Sequence, residues 1–262
     1  MTQRRPLVKI LLAGAVLLAG SAFAQPSKLR LGVEGAYPPF SEVGPDGKLK
    51  GFDIDIAMAL CAEMKVECTL VQQDFDGMIP ALNAKKFDAI VASLSITDER
   101  KKAVAFSDKY YKTPNRMIVR SAANLTVSPE GLKGKRIGVQ RASINDRFAT
   151  DTFKGSEIVR YAKQDEIYLD LAAGRLDATL VDAVAADAGF LKKPQGKGFA
   201  FAGPAYVEPA YFGHGAGIAV RKTDTELVQR LNRAIAAIRS NGTYQRIQDK
   251  YFDFDIYGEA SK

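Results

Sequence analysis

The chain has 262 residues, with 37 Lys+Arg, 30 Asp+Glu, one histidine, two cysteines and no tryptophan. The length fits one large domain or two small ones. Charges of both signs alternate along the chain without a basic block, which argues against a nucleic-acid partner.

The first 24 residues read as a secretory signal. Arg4, Arg5 and Lys9 form a positive start, residues 10–20 are apolar, and Ala22-Phe23-Ala24 offers small residues for a peptidase. A membrane helix is the rival reading, but a span needs about 20 apolar residues. Cleavage would leave 238 residues with 34 Lys+Arg against 30 Asp+Glu, a net charge of only +4. Cys61 and Cys68 would then meet an oxidising compartment, where paired thiols close. Two thiols seven apart, with His214 far off, make a poor zinc site, so no metal is expected.

Beyond the leader, short β-like runs alternate with helical patterns, the signature of an α/β chain. Residues 29–33 read as a strand, and Asp53 is placed to cap a helix carrying Ile54, Ala57, Met58, Cys61 and Met64. A strand over 68–72, a helix over 76–86, a strand over 88–93 and a short helix from Thr97 follow. A second series begins with a strand over 135–139 and a helix capped by Ser143. It continues through 158–161, a helix over 164–173, a strand over 178–181 and a helix over 184–191. After a Gly/Pro-rich passage over 194–217 come a strand over 217–221, a helix capped by Asp224, and a last helix over 243–251.

Residues 82–91 (LNAKKFDAIV) echo residues 171–180 (LAAGRLDATL) at an offset of 89. Leu31-Gly32-Val33 likewise echoes Ile137-Gly138-Val139. Two lobes of like architecture follow. Ligands of open α/β sheets bind beyond the carboxyl ends of strands, which would bring Glu34, Ser93, Gln140 and Asp182 to one cleft.

Four segments then carry a family resemblance: Gly51-Phe52-Asp53-Ile54-Asp55, residues 84–90, residues 93–100 and Lys250-Tyr251-Phe252-Asp253-Phe254-Asp255. They resemble the polar amino-acid periplasmic binding proteins of ABC importers, in particular those for lysine/arginine/ornithine and for histidine. The resemblance spans residues 25–258. It implies a two-lobed fold that closes on its ligand by hinge motion. The first lobe would be 25–111 plus 213–262, the second 115–207, with hinge strands near 112–115 and 207–213. It further implies a periplasmic location, a monomer, an inner-membrane permease as partner and no cofactor.

Carried onto this chain, the resemblance makes Arg100 the carboxylate-gripping residue and Asp182 the partner of the α-ammonium. The bland alternatives are a solvated helix charge for Arg100 and a helix cap for Asp182. Ser93 would assist through its hydroxyl or carbonyl, and Ser95 and Ser143 stand where helices are expected to begin. Tyr37 and Phe75 would sandwich a long cationic side chain. Glu34 would meet its distal charge, where the lysine/arginine/ornithine pattern has aspartate. Ala92 replaces a serine, and Gln140-Arg141-Ala142-Ser143-Ile144-Asn145 departs from the same pattern toward arginine/ornithine-binding relatives. Which cationic amino acid is preferred stays open, as does any role for His214. Two rivals share the fold: a cyclohexadienyl dehydratase, needing Glu34 as general acid, and a sensory module, needing a membrane segment beyond Lys262 or a partner receptor.

Overall fold

The computed structural model describes residues 28–258, so the signal reading of residues 1–24 lies outside the described residues. Two five-stranded sheets carry the fold. In the first the strand order is Glu67–Gln72, Lys28–Val33, Ala89–Ile90, Ala216–Val220, Ala105–Tyr111. In the second it is Glu157–Tyr161, Arg136–Gln140, Ala178–Asp182, Asn115–Arg120, Phe199–Tyr206. Each sheet has three parallel strands followed by two antiparallel pairings.

The internal repeat is the centre of both sheets. Leu31 and Gly32 pair with Ala89 and Ile90, as Ile137 and Gly138 pair with Ala178 and Thr179. The aspartate of each repeat fastens the same strand edge. Asp88 accepts from the Arg30 N–H at 3.0 Å, and Asp177 from the Arg136 N–H at 2.8 Å. The repeated glycine makes room for the repeated apolar residue. A Cβ at Gly32 would stand 2.7 Å from the Phe87 ring, and one at Gly138 would stand 2.4 Å from Leu176.

The chain leaves the first sheet at Tyr111, enters the second at Asn115, and returns after Tyr206. The return is not a strand: Pro209–Phe212 forms one helical turn, with proline at its start where a missing N–H is harmless. The Gly/Pro-rich passage also contains the eight-residue strand Phe199–Tyr206, which composition alone reads as loop. It is an edge strand, where Gly203 and Pro204 interrupt the register and proline is tolerated. Two helices are shorter than their patterns: residues 76–86 resolve into the turn Phe75–Gly77 and the helix Met78–Asn83, and residues 184–191 into Ala183–Ala186 with a wider turn Asp187–Leu191.

One buried apolar cluster runs across both sheets, from Leu31, Phe40 and Phe52 to Ile118, Tyr168, Val181 and Phe190. Cys61 and Cys68 are bonded, tying the helix Phe52–Glu63 to the strand after it. No helix among the described residues is long and apolar enough to cross a membrane.

Candidate functional site

Between the sheets lies a cavity of about 460 Å³. Glu34, Tyr37, Phe75, Ala92, Ser93, Ser95, Arg100, Gln140, Ser143, Ile144, Asn145 and Asp182 all line it. They come together because strand ends of both sheets open onto it: Glu34 follows Lys28–Val33, while Gln140 and Asp182 end their strands. Thr113, Gln164 and Phe212 also line it and were not anticipated. For Gln164 a signal existed, since it stands three residues beyond the carboxyl end of Glu157–Tyr161.

Arg100 follows from the local fold. Thr97 caps the helix Asp98–Lys101 by accepting the Arg100 N–H at 3.2 Å, and this turn brings the guanidinium back along the cavity wall. It donates to the Ser95 carbonyl at 3.2 Å and, across the cleft, to the Ala142 carbonyl at 3.3 Å. It lies 5.5 Å from the centre of the Phe75 ring. Burial lowers its pKa to about 10. Ser95 does not begin a helix, and what it supplies here is a carbonyl. Ser143 does begin one, accepting the Asp146 N–H at 3.0 Å.

Asp182 is both a helix cap and a cavity wall. One carboxylate oxygen accepts the N–H groups of Val184 and Ala185 at 2.8 and 3.0 Å, and the other accepts from the Thr113 hydroxyl. Burial raises its pKa to about 6 against the pull of those donors. Glu34 is 4% exposed and accepts from the Gln140 amide of the opposite sheet. Burial raises its pKa to about 8, with Gln140 opposing and the charges of Asp53, Asp165 and Asp74 adding to the rise.

Asp53 departs from expectation. Gly51 takes the cap position, and Asp53 turns inward, accepting from Tyr110 and Ser93 hydroxyls, each at 2.9 Å. The Ser93 hydroxyl proton is thus given to Asp53, which leaves the hydroxyl oxygen and the carbonyl as acceptors. Asp53 is fully buried, with its pKa raised to about 7 by that burial. Asp224 precedes the helix Thr225–Ser240 but does not cap it; its carboxylate pairs with Arg221 at 2.7 Å. His214 lies outside the cavity, in a surface groove with Lys101 and Lys222.

The electrostatics of the cavity are lopsided. Glu34 and Asp182 are buried carboxylates lining the cavity, and neither forms an ion pair among the described residues. Arg100 is a half-buried guanidinium also without one. Unpaired charge is costly to bury. A ligand with two cationic groups and one carboxylate would complement this set.

Two matching sheets facing one another across a cavity lined by charged, amide and aromatic side chains define a two-lobed solute-binding protein. Residues 29–254 match the bacterial extracellular solute-binding proteins, family 3, and the chain belongs to that family. It is 52% identical to the L-arginine-binding protein of Pseudomonas aeruginosa, over 95% of this chain and 98% of that one. It is 47% identical to the lysine/arginine/ornithine-binding periplasmic protein of Escherichia coli, over 95% and 96%. A solved structure of an ancestral arginine-binding protein bound to arginine aligns with a TM-score of 0.80 at 36% identity, covering 86% of this chain and 98% of that one.

Proposed function

We propose that the protein is the periplasmic substrate-binding component of an amino-acid ABC importer and takes a cationic L-amino acid by hinge closure. The observation that carries this is the excess of carboxylate, Glu34 and Asp182, over guanidinium, Arg100, at the cavity. Arg100 grips the α-carboxylate through its planar fork. Asp182 accepts the α-ammonium, with the Ser93 carbonyl beside it. Tyr37 and Phe75 flank the aliphatic stem, and Glu34 meets the distal cation. Ala92, Ser95, Ser143, Ile144 and Asn145 complete the walls.

In this reading residues 1–24 are removed on export. Residues 25–111 and 213–262 move against 115–207 about 112–115 and 207–213. The closed monomer then presents both lobes to an inner-membrane permease. In this reading the ligand is bound and released unchanged, with Glu34 and Asp182 serving as partners for its cationic groups.

Thermal shift with a panel of amino acids tests the substrate class. Arginine, ornithine or lysine should raise the melting temperature, while glutamate and aspartate should not. Stabilisation by the acidic pair equal to that by the basic set would overturn the reading. Formation of phenylpyruvate from prephenate, or of phenylalanine from arogenate, would overturn the non-enzymatic part.

A further inference from the structure

Asp53 is wholly buried and does not line the cavity, yet its carboxylate is bonded to a residue that does. The Ser93 hydroxyl donates to one Asp53 oxygen at 2.9 Å, and the Tyr110 hydroxyl donates to the other, also at 2.9 Å. Tyr110 closes the circuit by accepting the Ser93 N–H at 3.1 Å. Tyr110 is itself fully buried, and its carbonyl accepts from the Tyr244 hydroxyl at 2.7 Å, so the circuit is anchored in the first lobe.

Ser93 has a left-handed backbone, with φ at 52°. Residues that carry a side chain seldom adopt this conformation, and they keep it only where the surroundings hold it. Here the Tyr110 bond holds the N–H and the Asp53 bond holds the hydroxyl. Both donors of Ser93 are therefore taken up on the side away from the ligand, and Ser93 meets the cavity only as an acceptor. The carboxylate makes this arrangement one-way. When ionised it can only accept, so the hydroxyl proton has a single direction. Burial raises the Asp53 pKa to about 7, and the charge of Asp182, on the second lobe, adds to the rise. A cation bound beside Ser93 favours the ionised form.

We propose that Asp53 is a positioning residue which, acting through Ser93, presents an acceptor-only wall to the α-ammonium and so selects α-amino acids over α-hydroxy acids. The proposal rests on the cationic amino-acid reading above, in which the α-ammonium lies between Asp182 and Ser93. An ammonium is a donor on every side and carries charge, so a wall of acceptors suits it. An α-hydroxyl has one donor, no charge, and lone pairs that an acceptor wall leaves unmet. A Ser93 hydroxyl free to turn could donate to that α-hydroxyl, and the distinction would blur. Asp53 prevents the turn.

Calorimetry with L-arginine and its α-hydroxy analogue, which has a hydroxyl in place of the α-ammonium, tests this on the wild-type protein, Asp53→Asn and Tyr110→Phe. Asparagine keeps the shape of aspartate, but its amide nitrogen donates to the Ser93 hydroxyl oxygen and releases the hydroxyl proton. Asp53→Asn should weaken arginine by about tenfold to a hundredfold and the analogue by less than about threefold. Equal losses for the two ligands, as general damage to the lobe would give, would overturn the proposal. So would unchanged arginine affinity, or equal wild-type affinities for the two ligands. Tyr110→Phe leaves Asp53 in place but frees the Ser93 N–H, and it carries the test if Asp53→Asn does not fold. It should narrow the preference for arginine over the analogue by at least about threefold, and an unchanged preference would overturn the proposal. Failure of the wild-type protein to bind arginine, lysine or ornithine would instead overturn the cationic reading itself.

Discussion

The Gln140 amide, at the end of a second-sheet strand, donates to the carboxylate of Glu34, which follows a strand of the first sheet. The residue proposed to read the ligand's charge is thus held by a group on the opposite side of the cleft. Recognition of the distal cation and closure are therefore one event, since Glu34 is fully framed only when the two sheets come together.

Removing that charge should be selective. Glu34→Gln should weaken cationic amino acids by at least about a hundredfold, the scale of breaking a buried pair. Arg100→Ala should abolish binding of every α-amino acid, because it removes the carboxylate partner all of them share. Calorimetry on both variants checks the division, and equal losses across ligands from Glu34→Gln would contradict it.

Binding should release protons. The Glu34 pKa stands at about 8 because burial opposes its ionisation. A cation beside it favours the ionised form and pulls that value down. Below about 8 the proton must leave for the ligand to bind, so affinity should fall as pH drops through 8 and level off above it. Titrations near neutral pH in buffers of different ionisation enthalpy should give different apparent enthalpies. Buffer-independent enthalpies would contradict the assignment.

The repeated glycines should be stability determinants. A Cβ at Gly32 would meet the fully buried Phe87 ring, and one at Gly138 would meet the Leu176 side chain at 2.4 Å and the γ-methyl of the fully buried Ile167 at 2.8 Å. Gly32→Ala and Gly138→Ala should each cost about 1–3 kcal/mol. Thermal denaturation checks the cost, and Phe87→Leu should recover part of the Gly32→Ala loss.

These glycines also show how much of the fold was legible. The repeat exposed Gly32, Phe87, Gly138 and Leu176 as equivalent, and the sheets place them so. The edge strand Phe199–Tyr206 was hidden because Gly203 and Pro204 break its pattern, and its pairing with Asn115–Arg120 is long-range. Asp53 looked like a cap because local sequence favours one, but bonds to Ser93 and Tyr110, 40 and 57 residues away, turn it inward. Gln164 could have been found, since it stands three residues beyond the carboxyl end of Glu157–Tyr161.

Closure is also latched at the cleft mouth. Arg141 pairs with Asp76 at 2.9 Å across the two lobes, with side chains 51% and 28% exposed. A pair so exposed contributes only up to about 1 kcal/mol. Asp76→Asn should speed ligand release by up to about fivefold, and 1 M salt should erase the difference. Stopped-flow release kinetics check it.

The claim at the centre is that the cavity reads a positive charge on the side chain. Citrulline has the shape of arginine with a neutral urea in place of the guanidinium, so a calorimetric comparison of the two isolates that charge. Arginine should bind one to one and at least about a hundredfold more tightly than citrulline. Equal affinities would contradict the role given to Glu34 and the cationic reading with it.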